Sequence, residues 1–280
     1  MTTAGEREST PICGILLHPA GHTRSPAMHT AAWRALGIRG RYLSFDVPPP
    51  RLAAAVAGTR VLGLRQLAVS LPHKESILEY LDEVDETAKQ IGAVNTVTRN
   101  GERLCGANTD WIGGMRALEQ ASPLAQRRAV VLGAGGTARA LCFGLRERGA
   151  HVTVLNRTVR AAESLAEELG ADAAGPLEDL SRHDFDVLVN TTSVGLRSDR
   201  SPVPADVHRS GSVVLDAVYE PERTRFLRDA EQAGARVIEG KWMLVHQAAE
   251  QLRIWTGRDA PTAVMAEAFD SAGQARGAGA

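Results

Sequence analysis

The sequence predicts an α/β protein of two domains, and three observations carry that prediction. The chain has 280 residues, room for two separate cores. Short apolar runs alternate with amphipathic stretches along most of its length, which is the pattern of parallel βαβ units. Finally, Val130-Val131-Leu132-Gly133-Ala134-Gly135-Gly136-Thr137-Ala138 reads as a buried strand, a glycine turn and the first turn of a helix, with a second strand at 151–155.

In chain order, 11–17 is an apolar strand. Ser25-Pro26 opens a helix to residue 36: Ser25 suits the N-cap, Pro26 the first helical position and Gly37 the stop. Strands at 41–47 and 66–71 flank a small-residue helix at 52–57. Helices follow at 73–81, with Ile77, Leu78 and Leu81 on one face, and at 85–91, stopped by Gly92. Segments 93–98 and 103–107 flank Asn100-Gly101, a type I′ hairpin signal, and Asn108-Thr109-Asp110 leads into a helix to 118. After the glycine turn come a helix ended by Gly170, strands at 185–191 and 212–218, a helix at 223–233, a strand at 236–239 and helices at 240–255 and 261–269.

The glycine turn has the dinucleotide-binding context of strand, turn and helix. Gly133 allows the tight turn, Gly135 lets the backbone approach a pyrophosphate, and Ala138 lets helix and strand pack closely. The following helix offers free N–H groups and partial positive charge to phosphates. An NAD site usually carries Asp or Glu after the second strand; here stand Asn156-Arg157-Thr158 and Arg160. Arginine there grips a 2′-phosphate, which favours NADP. The expected architecture is therefore an N-terminal α/β substrate-binding domain, 1–111 plus 241–280, and a Rossmann-type NADP-binding domain, 112–240. The C-terminal helices return to the first domain and leave the active site in the cleft between the two.

Composition excludes other classes. Net charge is −1, so no broad basic surface for nucleic acid is implied. No apolar run is long enough to span a membrane, and the opening residues, with Glu6, Arg7 and Glu8, do not resemble a signal peptide. Cys13, Cys105 and Cys142 lack disulfide or metal spacing and fit a reducing cytoplasm. His18, His22 and His73 have no third partner at ligand spacing, so no metal site is expected. Residues 271–280 are small and read as a disordered tail.

Of 32 basic residues only Lys74, Lys89 and Lys241 are lysines. Lysine can hand over a proton where arginine effectively cannot. Lys74, after Pro72-His73, and Lys241, after Gly240, both stand at expected helix starts, and local sequence does not rank them. Asp110 reads either as a helix cap or as a working carboxylate. Asn95 enters a strand, where Asn is disfavoured, and so suggests a hydrogen-bonding task. Met243, Gln247 and Gln251 share a helix face, and Gln247 can both donate and accept toward a hydroxyl.

Taken together, these segments resemble the shikimate dehydrogenase family over nearly the whole chain, from about Gly14 to Phe269. His22-Thr23-Arg24-Ser25-Pro26 is similar to the family's carboxylate-binding loop, and Val69-Ser70-Leu71-Pro72-His73-Lys74 to its catalytic-lysine segment. Gly92-Ala93-Val94-Asn95-Thr96, Asn108-Thr109-Asp110, the glycine turn, Asn156-Arg157-Thr158, Asn190-Thr191-Thr192, Asp216-Ala217-Val218-Tyr219 and Gly240 with Met243 follow in order and spacing. The resemblance implies reversible reduction of 3-dehydroshikimate to shikimate with NADPH, with Lys74 and Asp110 paired at the reacting hydroxyl. It implies substrate contacts from Thr23, Ser25, Ser70, Asn95, Asp110, Tyr219 and Gln247. Cofactor contacts would come from Gly133, Ala134, Gly135, Gly136, Thr137, Ala138, Asn156, Arg157, Thr158, Arg160, Thr191, Val218, Gly240 and Met243. The chain departs from the usual pattern at Thr23 (serine), Leu71 (valine or threonine), Trp111 (glycine) and Ala161 (a basic residue). A quinate or aminoshikimate dehydrogenase, or a catalytically silent NADP-binding sensor, stays open on sequence alone, as does monomer or homodimer.

Overall fold

The computed structural model describes residues 10–277; Glu6, Arg7, Glu8 and the last three residues lie outside that range. The first layer comprises β1 (Ile12–Leu17), α1 (Ser25–Ala35), β2 (Arg41–Asp46), α2 (Leu52–Val61), β3 (Gln66–Val69), β4 (Glu83–Val84), α3 (Glu86–Ile91), β5 (Thr96–Asn100) and β6 (Arg103–Ala107). Its strand order is β2-β1-β3-β5-β6-β4, parallel from β2 to β3 and antiparallel through the β5–β6 hairpin. Helix α4 (Asp110–Glu119) leads to β7 (Arg128–Leu132), α5 (Gly136–Glu147), β8 (His151–Leu155), α6 (Val159–Leu169), β9 (Ala173–Gly175), β10 (Val187–Asn190), β11 (Val213–Asp216), α7 (Arg225–Gln232), β12 (Arg236–Ile238), α8 (Gly240–Thr256) and α9 (Thr262–Gly277). The second sheet is parallel throughout, in the order β12-β11-β10-β7-β8-β9.

Strand alternation splits each sheet into two cores. In β7, Val131 joins Leu141, Leu145 and Val154 on one face, while Val130 and Leu132 join Leu188, Phe226 and Leu227 on the other. Strands buried on both faces need apolar residues at every position, which is why they read as continuous runs. In β1, Ile15 and Leu17 face α1, α8 and α9 through Met28, Trp33, Val245, Leu252 and Phe269. The C-terminal helices thus cover one face of the first sheet, as expected. Among the described residues no helix is long and apolar enough to cross a membrane.

Several local expectations change. The 73–81 helix is only a 3-10 turn at Ser76–Tyr80, and Lys74 stands in the turn before it. Ser25 is the first residue of α1 rather than its cap, which is Arg24. Asn100 pairs with Arg103, so the hairpin turn is Gly101-Glu102. Gly101 has φ +62° and Glu102 is not among the residues with positive φ, the pattern of a type II′ turn, not I′. Strands β4 and β9, two and three residues long, carry too little pattern to be read from sequence. Residues 271–277 continue α9 as helix instead of starting a tail.

Candidate active site

Counted from β7, the second sheet runs 3-2-1-4-5-6, which places its switch point between β7 and β10. The glycine turn leaves β7 there. Gly133 has φ +113°, and a Cβ on it would lie 2.5 Å from Thr191 Oγ1, so glycine is required. Gly135 caps α5 with no side-chain bond to the first-turn N–H groups, leaving donors for an anion. A Cβ on Gly135 would meet nothing nearer than Glu75 Oε1 at 4.0 Å, so the turn's outer side is open. Ala138 is fully buried where α5 closes on the sheet. Beyond β8 the Asn156 amide donates to the Thr158 carbonyl at 3.1 Å and shapes the turn. Arg157 and Arg160 are exposed, and no carboxylate stands between residues 156 and 162. This cradle fits a dinucleotide with a 2′-phosphate.

Against the turn, Lys74 Nζ donates to Asp110 Oδ2 at 2.6 Å and to Thr137 Oγ1 at 3.1 Å. The backbone fixes Lys74: its carbonyl accepts from the Val94 N–H at 2.8 Å, beside β5. Asp110 is the first residue of α4, not its cap, and its N–H donates to the Asn108 side chain at 2.9 Å. Its second oxygen accepts from Asn95 Nδ2 at 2.8 Å, and the same amide reaches Thr109 Oγ1 and Gln247 Oε1 at 3.0 and 3.2 Å. Asn95 is thus spent behind the carboxylate, where it orients Asp110. Gln251, one turn beyond Gln247, donates to the Asn95 carbonyl at 3.0 Å and docks α8 on β5.

The cleft brings together Ser70, Lys74, Asp110, Thr137, Thr191, Val218, Tyr219, Gly240, Met243 and Gln247. Thr23, Ser25 and Asn95 are almost wholly buried and do not line it. Lys241 is separated from Lys74 by geometry: its ammonium bonds both Asp270 oxygens at 2.6 and 2.7 Å. Trp111 turns away from the cleft and packs edge-on against Phe143 at 5.5 Å, beside Ile91, Ala93 and Ala140. Leu71, Thr192, Ser193 and Leu196 also line the cleft, and sequence reasoning assigns them no contact there. Leu71 is 52% exposed, and an apolar residue between Ser70 and Pro72 at a strand end is the signal that could have found it.

Behind Tyr219, Asp216 accepts from Asn190 Nδ2 (2.9 Å), the Val218 N–H (3.0 Å) and Thr224 Oγ1 (2.6 Å). Burial pushes its carboxyl up to about 7, against the lowering from those three donors. The folded state therefore holds a proton that the unfolded chain loses from about pH 4. The stability linked to it is fully present below that range and is lost as pH rises through about 7. The advantage of wild type over Asp216→Asn in urea unfolding should shrink between about pH 5 and about pH 8. Burial lowers His29, His208 and His246, which act in the opposite sense but are common to both proteins and cancel. A difference that stays flat with pH would refute the assignment.

A glycine turn at the switch point of a doubly wound sheet, beside a buried lysine–carboxylate pair that lines a cleft, defines a dinucleotide-dependent dehydrogenase. Residues 15–97 match the family model for the shikimate dehydrogenase substrate binding domain, 116–197 that for shikimate/quinate 5-dehydrogenase and 240–268 that for the shikimate 5′-dehydrogenase C-terminal domain. The shikimate dehydrogenase (NADP(+)) of Methanothermobacter thermautotrophicus is 45% identical over 271 residues, 93% of this chain and 96% of that one. Shikimate 5-dehydrogenase from Thermus thermophilus, crystallised with NADP(H) and shikimate, superposes with TM-score 0.88 at 42% identity, over 94% of this chain and 100% of that one. Ligand-free 5-ketofructose reductase of Gluconobacter sp. strain CHM43 superposes with TM-score 0.83 at 34% identity, over 94% and 98% of the two chains. The chain belongs to the shikimate dehydrogenase family.

Proposed function

We propose that this protein catalyses the reversible NADP-dependent reduction of 3-dehydroshikimate to shikimate. The observation that carries this reading is the Lys74–Asp110 pair, 2.6 Å apart, in a cleft that it lines together with Thr137 of the first turn after the glycines. Bound NADPH supplies the hydride. The chain supplies the proton and the geometry: Lys74 and Asp110 share a proton at the reacting oxygen, delivering it in reduction and removing it in oxidation. Asn95 holds Asp110 in place from behind, and Ser70, Asp110 and Gln247 recognise the ring hydroxyls. Tyr219, which lines the cleft, takes the carboxylate, with Thr23 and Ser25 buried outside its lining. The pyrophosphate belongs to 133–138, the 2′-phosphate to Asn156, Arg157, Thr158 and Arg160, and the nicotinamide to Thr191, Val218, Gly240 and Met243. The functional domains are 1–111 plus 241–280 for substrate and 112–240 for cofactor. A cytoplasmic enzyme, monomer or homodimer, is the setting this reading takes.

The test is a steady-state assay by cofactor absorbance, with shikimate, quinate, an aminoshikimate and 5-ketofructose, each with NADP and NAD. Highest kcat/KM for shikimate with NADP is expected. A preference for another ring acid moves the protein to a different branch, and no turnover on any of them makes it a silent binder. In the same assay Arg157→Ala should raise the NADPH KM about tenfold or more, since a charge-assisted hydrogen bond contributes about 1.5–3 kcal/mol. The NADH KM should change little; equal effects on both would remove Arg157 from the phosphate site.

A further inference from the structure

The glycine turn has a second neighbour besides the open side that faces a dinucleotide. Thr137, in the first turn of α5, accepts a hydrogen bond from Lys74 Nζ at 3.1 Å through its side-chain oxygen, while Asp110 takes another of the ammonium's protons at 2.6 Å. A lysine ammonium has three N–H donors, so one is left for a reacting oxygen. Gly136 makes room for the same residue: a Cβ there would come to 3.0 Å from Lys74 Cβ and 3.4 Å from Lys74 Cδ. Lys74 itself belongs to the first sheet's loops, where its carbonyl is bound by Val94. The lysine's stem and head therefore touch the cofactor-binding unit at Gly136 and Thr137, while its backbone and its bond to Asp110 belong to the substrate-binding one. Its side chain is 11% exposed, so solvent offers few competing partners for the ammonium.

We propose that Thr137 is a positioning residue for Lys74, so that the turn reserved for the cofactor also fixes the direction of the proton-transferring amine. This rests on the reading of Lys74 and Asp110 given above. The hydroxyl holds the ammonium at one vertex of a triangle whose others are Asp110 and the cleft. Without it, the flexible four-carbon stem lets the head turn toward Asp110 alone. Lengthening the 3.1 Å bond by about 1 Å takes it past its useful range, so the direction of the amine depends on the contact between Lys74 and the first turn of α5.

Thr137→Val removes the hydroxyl and keeps the shape; Thr137→Ser keeps the hydroxyl. With purified enzyme, kcat for shikimate at saturating NADP should fall about 10- to 100-fold in Thr137→Val. NADPH affinity, read by fluorescence titration, should stay within about twofold and Thr137→Ser should recover kcat to within about threefold of wild type. Weakened NADPH binding with unchanged kcat would make Thr137 a cofactor residue only and overturn the inference. So would Thr137→Ser falling as far as Thr137→Val. Lys74→Ala run alongside separates the two levels. If it keeps full turnover, the lysine–carboxylate reading fails and this one with it. If it is inactive while Thr137→Val is normal, only the role of Thr137 fails.

Discussion

Lys74→Ala is expected to lower kcat about 10²- to 10⁴-fold, the range for loss of a positioned general acid or base. NADPH affinity should be close to wild type. The amine is at once the donor to Asp110 and the group nearest an open donor direction in the cleft, so its removal takes away the proton path and leaves Asp110 without its counter-charge. Both side chains are nearly excluded from solvent, 11% and 6% exposed, so bulk water is a poor substitute. Lys74→Arg should be almost as inactive as Lys74→Ala, because a guanidinium keeps the charge but does not give up its proton. In a chain with 32 basic residues and three lysines, that distinction explains the lysine at this position. Turnover of Lys74→Arg near wild type would show that charge alone is needed and would remove proton transfer from the mechanism.

How much of this is legible in the sequence follows from which forces are local. The parallel strands are legible because their central positions, Val130 to Leu132 in β7, Val187 to Val189 in β10 and Val213 to Leu215 in β11, are buried on both faces and are all apolar. Gly133 is legible because its backbone conformation and its contact with Thr191 leave glycine no alternative. The choice between Lys74 and Lys241 is not, because it depends on Asp110 and Asp270, 36 and 29 residues away in sequence. The 73–81 segment misleads because Ile77 is buried in a 3-10 turn just as it would be in a helix. Asp110 looks like a cap because its polar partners, Asn95 and Lys74, come from other elements. The tail misleads because small residues such as alanine are also the best helix formers, and α9 continues far enough to carry Asp270 to Lys241.

Phe269→Ala is the expected counterpart on the stability side. The ring is fully buried in the core that joins α1, α8 and α9 to the first sheet. Truncating a buried phenylalanine costs about 3–5 kcal/mol through lost burial and the cavity left behind. Here it also removes a platform. The Arg24 guanidinium lies 4.2 Å from the ring centroid, Lys241 Nζ 5.8 Å, and Tyr219 meets it edge-on at 5.7 Å. Arg24 is itself buried between Thr23 and Ser25 and reaches Glu222, in the loop beyond β11, at 2.7 Å. The contacts at Arg24, in the loop proposed to meet the carboxylate, and at Tyr219 therefore converge on one side chain. Urea unfolding should show the stability loss, and the surviving folded enzyme should show a raised KM for shikimate with little change in NADPH affinity, since the glycine turn is built on other elements. A Phe269→Leu variant should restore most of the stability by filling the cavity, yet keep the raised KM, because an aliphatic side chain offers Arg24 no aromatic face. If Phe269→Leu restores both, the cation–aromatic contact has no part in shaping the substrate loop and the effect is one of volume alone.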